Sequence, residues 1–322
     1  AAVVKANAYG LGASTIANQL WKTGARTFFT ASIDEAIELR ECLPENSKII
    51  YFNGFSKDNV KEIAEFRLTP VLNTTDQIKH FSQQLVEHPV AVQADVGINR
   101  LGLNRSDLLE MKSLLEGLNV KLIIGHLSSA DDFSATETAS QLKEFELISG
   151  LFPKVKKSLS ATAGVLLNSN FHFQLVRPGI GLYGGLPFRE AEPVVHLSLP
   201  ILQTKIISEN EGVGYNHTYK APSRKMLAIV AAGYADGLFR SLSNKGALYS
   251  GRKRCPIVGR VSMDLITVDI SSLTQIPKCL DVLCEDQTVD DLAKACNTIG
   301  YEVLTSLGSR YKRVYHFIRT QE

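Results

Sequence analysis

The chain has 322 residues, 44% of them hydrophobic and 21% charged, with a formal net charge of +2. That is enough chain for two domains, and the near balance of charge speaks against a nucleic-acid or polyanion partner. No apolar stretch approaches the length of a bilayer span and no signal peptide is visible. The five cysteines (Cys42, Cys255, Cys279, Cys284, Cys296) form no C-x-x-C pair, which fits reduced thiols in a cytoplasmic protein.

Val3 and Val4 read as the end of a short strand, with Lys5 at its carboxyl end and Asn7, Gly10 and Gly12 as turn residues beyond. Taken alone, a strand-end lysine is a surface residue. Helical spacing of Ile16, Leu20 and Trp21 follows. RTFFTA then reads as a strand and SIDEAIELRECL as a helix with Ser32 as its N-cap. The rhythm continues: KIIYFNG strand, SKDNVKEIAEF helix, LTPVLN strand, TTDQIKHFSQQLVE helix, VAVQAD strand, SDLLEMKSLLEG helix, VKLIIGH strand, TETASQLKEFELISGLF helix, KKSLSA strand and QLVRPG strand. Eight strands separated mostly by helices predict parallel strands with crossover helices. Closed on themselves they make an α/β fold, a (β/α)8 barrel of the TIM type over residues 1–196, with an open doubly wound sheet as the rival. The first strand is shorter than a barrel strand ordinarily is, so an upstream segment of the natural chain is expected. Over residues 197–322 helical periods thin out. LSLPILQTKIIS, MLAIVAAGYADG, ALYSGRKRCPIVGRV and LITVDISS read as strands. DQTVDDLAKACNTIG reads as one helix starting near Asp286 or Thr288, giving a mostly β C-terminal domain.

Barrel chemistry gathers at the carboxyl ends of strands. Those positions carry Lys5 and Tyr9 after the first strand, and Asp95, Asn99 and Arg100 after the fifth. His126 ends the sixth, Ser160 and Thr162 follow the seventh, and Arg177 with a glycine loop ends the last. Each alone has an ordinary structural explanation. Together on one rim they predict a ligand site. SATAG and RPGIGLYGG suit a phosphate cradle, with small residues and exposed amides. GIGLYG also matches G-x-G-x-x-G, but it follows the last β/α unit rather than opening the first, so a dinucleotide site is rejected. A phosphate cradle, a strand-end lysine and flanking arginines are the set that pyridoxal 5′-phosphate (PLP) requires. The seven histidines show no paired ligand spacing, so no metal is expected, and Asp131-Asp132 reads as a loop or helix-start feature.

VVKANAYGLG resembles the PLP-lysine motif of the alanine racemases, and GVGYNHTY, AAGYADG and VGRVSMDL resemble that family's other signatures in the same order. The resemblance covers essentially the whole chain. It implies a PLP-dependent isomerase interconverting L- and D-alanine, supplying D-alanine for the cell wall, built as a homodimer with shared active sites. Carried over by position, Lys5 is the Schiff-base lysine and the base on one face of the substrate Cα. Tyr215 is the opposite base, donated across the dimer. Arg177 bonds the pyridine nitrogen, Arg100 lies near the cofactor O3′ and the substrate carboxylate, and His126 links Tyr215 to Arg177. Tyr9, Thr162, Gly179, Ile180 and Tyr234 contact the phosphate. Met263 offers its amide to the substrate carboxylate, with Asp264 beside it.

Departures from the family pattern blur the substrate more than the reaction. Gln93 stands where many members carry a carbamylated lysine that orients the residue matching Arg100, so Gln93, a chloride or water must do so here. Ser309 replaces a gate tyrosine, which would admit serine or larger amino acids. Leu11 replaces a histidine, and Ala161-Thr162 replaces Asn-Ser. A PLP decarboxylase of the same barrel class is the main alternative, disfavoured by Arg177. A non-enzymatic PLP carrier is disfavoured by the second domain.

Overall fold

The computed structural model describes residues 1–132 and 134–317. The chain divides into two compact units, Ala1–Ala191 and Glu192–Glu322.

In the first unit seven parallel strands pair in chain order: β1 (Ala2–Val3), β2 (Thr27–Thr30), β3 (Lys48–Tyr51), β4 (Thr69–Leu72), β5 (Val90–Gln93), β6 (Val120–Ile124) and β7 (Lys156–Ser158). They are short and largely buried, as parallel strands covered by helices must be; all four residues of β5 are buried. Phe28, Phe29, Ile49, Val71, Leu72 and Ile123 are wholly buried among them. The expected eighth strand is not a regular strand. Arg177 N–H donates to the Ser160 carbonyl (2.9 Å) beyond β7, Val3 N–H to Pro178 (3.1 Å), and the Ala1 amino group to Val176 (3.0 Å). Residues 176–178 thus bridge β7 to β1 and close the ring. Pro178 has no N–H to extend the ladder, which keeps the segment short.

Three of the helices begin where a hydroxyl or amide side chain accepts one of the first free N–H groups. Ser32 Oγ accepts from Glu35 N–H (3.3 Å), Thr74 Oγ1 from Gln77 (3.2 Å) and Asn104 Oδ1 from Asp107 (2.9 Å). Two expected single helices are broken. SKDNVKEIAEF opens with a 3-10 turn over Lys57–Asn59 before the helix Val60–Glu65. SDLLEMKSLLEG divides at Met111 into Arg105–Glu110 and Lys112–Glu116.

After β1 the chain does something no periodicity signals. Ala6, Asn7, Ala8 and Tyr9 all have φ between 51 and 55°, four successive non-glycine residues in the left-handed region. L-residues resist this conformation by about 1–2 kcal/mol each. Internal bonds hold the turn: Ala8 N–H to Val4 O (2.8 Å) and Gly10 N–H to Ala6 O (2.8 Å). So do two side chains, with Ala13 N–H donating to Asn7 Oδ1 and Ala6 N–H to Glu35 Oε1, both at 2.7 Å.

The second unit is built on a six-stranded antiparallel sheet of β8 (Leu197–Ile207), β11 (Lys225–Val230), β12 (Ala247–Ser250), β13 (Lys253–Pro256), β14 (Ile266–Asp269) and β15 (Cys279–Leu283). Its order is β13-β12-β15-β8-β11-β14. A small ribbon, β9 (Gly212–Val213) with β10 (Tyr219–Lys220), stands apart. ALYSGRKRCPIVGRV, read as strand throughout, is the β12–β13 hairpin turned at Gly251, whose φ of 53° suits glycine. Among the described residues the unit has two α-helices where one was expected. Val289–Cys296 is capped by Thr288, whose side chain and that of Asp291 each accept the other's backbone N–H. Gly300–Ser306 is the second.

Candidate active site

The carboxyl rim of the barrel holds the expected residues of the first unit together. Lys5 follows directly on β1, and its Nζ lies 5.8 Å from the centre of the Phe52 ring, which is stacked on Phe29 (5.1 Å). Burial lowers the pKa of Lys5, Arg100 lowers it further, and the Glu35 carboxylate opposes both. A partly desolvated amine beside another cation is a better nucleophile at neutral pH than one in water.

His126, just after β6, is pushed down to about 3, first by burial and then by Arg177, Arg100 and Lys5. Its imidazole is neutral at physiological pH and offers one donor and one acceptor nitrogen. Arg177 is buried at 2% exposure. Its Nη1 donates to the Ser158 carbonyl (2.9 Å) and Oγ (2.5 Å), and its Nη2 to the carbonyls of Gly125 (2.7 Å) and Leu159 (3.3 Å). Burial pushes its pKa down to about 9, which leaves the guanidinium charged at neutral pH. Every one of these acceptors is uncharged.

Arg100 lies on the loop after β5. Asp95 Oδ1 folds that loop by accepting the N–H groups of Gly97, Ile98 and Asn99 at 3.0–3.1 Å. Gln93 is 8% exposed, and its Nε2 donates to the Ala94 carbonyl (3.3 Å). A Cβ on Gly102 would come within 2.8 Å of Gln93 Cγ. Gln93 therefore shapes the base of the loop that carries Arg100.

Thr162, Gly179 and Ile180 form a second cluster with Tyr9. Thr162 Oγ1 accepts the N–H groups of Gly179 (3.0 Å) and Gly181 (3.3 Å). A Cβ on Gly179 would stand 2.3 Å from the Tyr9 hydroxyl oxygen, so only glycine lets the tyrosine lie over this turn. Tyr9 packs on Tyr183 (4.6 Å between ring centres), whose hydroxyl donates to the Val3 carbonyl (2.7 Å). The rim fits an anionic aldehyde cofactor: two guanidinium groups, a neutral imidazole, an amine of lowered basicity, and a glycine turn kept open beneath a phenol. Among the described residues no group of three or more His, Cys, Asp or Glu side chains could hold a metal, and no helix is long and apolar enough to cross a membrane.

The remaining expected residues belong to the second unit. Tyr215 opens a 3-10 turn and is 70% exposed; Tyr234 is 44% exposed and Met263 53%. Tyr234 N–H donates to the Ser262 carbonyl and Ala235 N–H to that of Met263, both at 3.0 Å. The sequence reading missed what joins these turns. Arg310, next to Ser309, donates through Nε (2.6 Å) and Nη2 (2.7 Å) to the Asp236 carboxylate and through Nη1 (2.7 Å) to Asp264. Asp236 also accepts Gly233 N–H (2.9 Å). The fork of an arginine suits such a double carboxylate, but its partners lie too far away in sequence for spacing to reveal them. Glu35 was missed too, although its place three residues after Ser32 is a sequence signal.

Two family models cover the chain. Residues 1–187 match "Alanine racemase, N-terminal domain" and residues 194–315 match "Alanine racemase, C-terminal domain". An alanine racemase of Cereibacter sphaeroides is 47% identical over 314 residues, 98% of this chain and 90% of the relative. One from Dinoroseobacter shibae is 46% identical over 315 residues, again 98% and 90%. The crystal structure of alanine racemase from Bartonella henselae with covalently bound pyridoxal phosphate superposes with a TM-score of 0.93 at 37% identity, covering 98% of this chain and 92% of that one. The chain therefore belongs to the alanine racemase family, whose members are PLP-dependent isomerases.

Proposed function

We propose that this chain interconverts L- and D-alanine by moving a proton off one face of Cα and another onto the opposite face. The observation that carries the proposal is the amine of Lys5, its basicity lowered by burial, placed with Arg100, Arg177 and a neutral His126 on one barrel rim. When bound, PLP supplies an aldehyde that Lys5 holds and a conjugated ring that makes the substrate Cα–H acidic. Lys5 takes or returns the proton on one face. Arg177, charged and held through Nη1 and Nη2 by three carbonyls and the Ser158 hydroxyl, would offer the ring nitrogen a hydrogen bond and keep its own proton. Arg100 and the Met263 amide orient the substrate carboxylate, with Asp264 beside them. Tyr9, Thr162, Gly179, Ile180 and Tyr234 hold the phosphate.

Tyr215 is the base on the second face, supplied by a second copy in a homodimer. Its 70% exposure, and that of Met263 and Tyr234, supports a surface covered by another chain. His126 would link the Tyr215 hydroxyl to Arg177. D-alanine made in the cytoplasm would supply the cell wall.

The test is a racemisation assay over a panel of L-amino acids in deuterated water, comparing wild type, Lys5→Ala and Tyr215→Phe. D-alanine is expected to exceed every other product, and Lys5→Ala to be inactive. Tyr215→Phe should lose roughly 10²–10⁴-fold in racemisation while still exchanging the Cα proton of one enantiomer. Release of carbon dioxide would make the chain a decarboxylase. D-serine in excess would assign the role of Ser309 to admitting a larger substrate.

A further inference from the structure

In a Ser-x-x-Glu box the glutamate carboxylate ordinarily turns back to the N-cap residue's own N–H. Ser32 and Glu35 start that way, with Ser32 Oγ accepting Glu35 N–H at 3.3 Å. The carboxylate then departs from the pattern. Glu35 Oε2 accepts Ala31 N–H, and Glu35 Oε1 accepts Ala6 N–H, each at 2.7 Å. Ala6 follows Lys5 directly and is the first of the four residues at φ 51–55°. One carboxylate thus ties the end of β2 to the start of a conformation that the backbone resists by itself.

Resting on the reading of Lys5 as the cofactor lysine, we infer that Glu35 is a positioning residue. It clamps the left-handed turn so that the Lys5 side chain is aimed at the rim before the cofactor arrives. Short charge-assisted bonds of this kind are among the stronger ones in proteins, and they hold the turn at its first N–H, where its geometry is set. The same carboxylate also faces the Lys5 amine electrostatically and opposes Arg100 there. It is thus placed to hold the amine in position as well as the backbone.

The experiment compares cofactor-loaded wild type with Glu35→Gln and Ser32→Ala. Glutamine keeps the size of the side chain but turns an NH2 toward one of the two N–H groups. Ser32→Ala removes the helix cap and leaves the clamp in place. For Glu35→Gln, amide hydrogen exchange over residues 6–10 and PLP release on dilution should each rise about tenfold or more. Its kcat should fall while KM for alanine stays within about twofold. Ser32→Ala should lower the melting temperature and change neither readout. Wild-type exchange and release in Glu35→Gln would overturn the inference, as would equal changes in Ser32→Ala. Borohydride reduction of the wild type separates this from the underlying reading. A label on Lys5 leaves Glu35 alone under test; a label elsewhere overturns the role of Lys5 and the clamp with it.

Discussion

A neutral imidazole enclosed by cations has a consequence for stability as well as for catalysis. In the folded chain His126 takes up a proton only near pH 3, whereas in the unfolded chain it does so near 6.5. Between those values the unfolded state binds the extra proton, so stability falls as pH drops from about 6.5 toward 3. The loss from this one group should reach on the order of 3 kcal/mol by pH 4. His126→Asn, which has no such proton to gain, should unfold less readily than wild type in that window relative to their difference at pH 8. Urea titrations of the cofactor-free proteins at pH 8, 6 and 4 measure this. Parallel curves for the two proteins would mean that His126 is freely protonated in the fold.

At the scale of elements, the turn 179–183 shows how little room the cradle has. Gly179→Ala would drive a methyl group to 2.3 Å from the Tyr9 oxygen, far inside van der Waals contact, and must displace either the phenol or the turn. The expected result is a folded protein that binds PLP at least about tenfold more weakly, read by absorbance titration. Gly150→Ala at the end of the helix Glu137–Gly150, where a new Cβ meets nothing within 4 Å, is the control. It should be neutral or slightly stabilising, by up to about 1 kcal/mol. The sequence announced these elements unevenly. Ser32 was readable as a cap, and Thr288 as one of two candidates with Asp286, because capping is local chemistry. The parallel strands were readable because their helices alternate with them. The 3-10 start at Lys57, the break at Met111 and the reduced last strand were not, because apolar spacing passes through all three unchanged. The left-handed run from Ala6 to Tyr9 was only partly legible: Asn7, Gly10 and Gly12 flagged a turn, while Ala6 and Ala8 ordinarily signal helix. One of the bonds that hold it comes from Glu35, 29 residues away. The rim itself was legible, since strand ends place Lys5, Arg100, His126, Thr162 and Arg177 by topology alone. The Arg310 fork was not, because it joins Asp236 and Asp264 across 74 and 46 positions.

For the whole molecule, the proposed dimer with shared sites makes an arithmetic prediction. Lys5→Ala and Tyr215→Phe each spoil every site of their own homodimer. In a mixed dimer one site combines the intact Lys5 of one copy with the intact Tyr215 of the other, and the second site carries both defects. Random reassortment makes half the dimers mixed, so an equimolar mixture should recover about one quarter of wild-type activity. Recovery no greater than the sum of the two variants would place both bases in one chain. The ring closure described above matters as well to a chain being made. The Val3 N–H meets the Pro178 carbonyl 175 positions later, and the Tyr183 hydroxyl reaches Val3 across 180. These are late contacts with a large loop entropy to overcome. A ribosome must release almost the entire first unit before Lys5 gains a finished bowl around it, so vitamin capture by the nascent polypeptide has to wait until Tyr183 clears the exit tunnel.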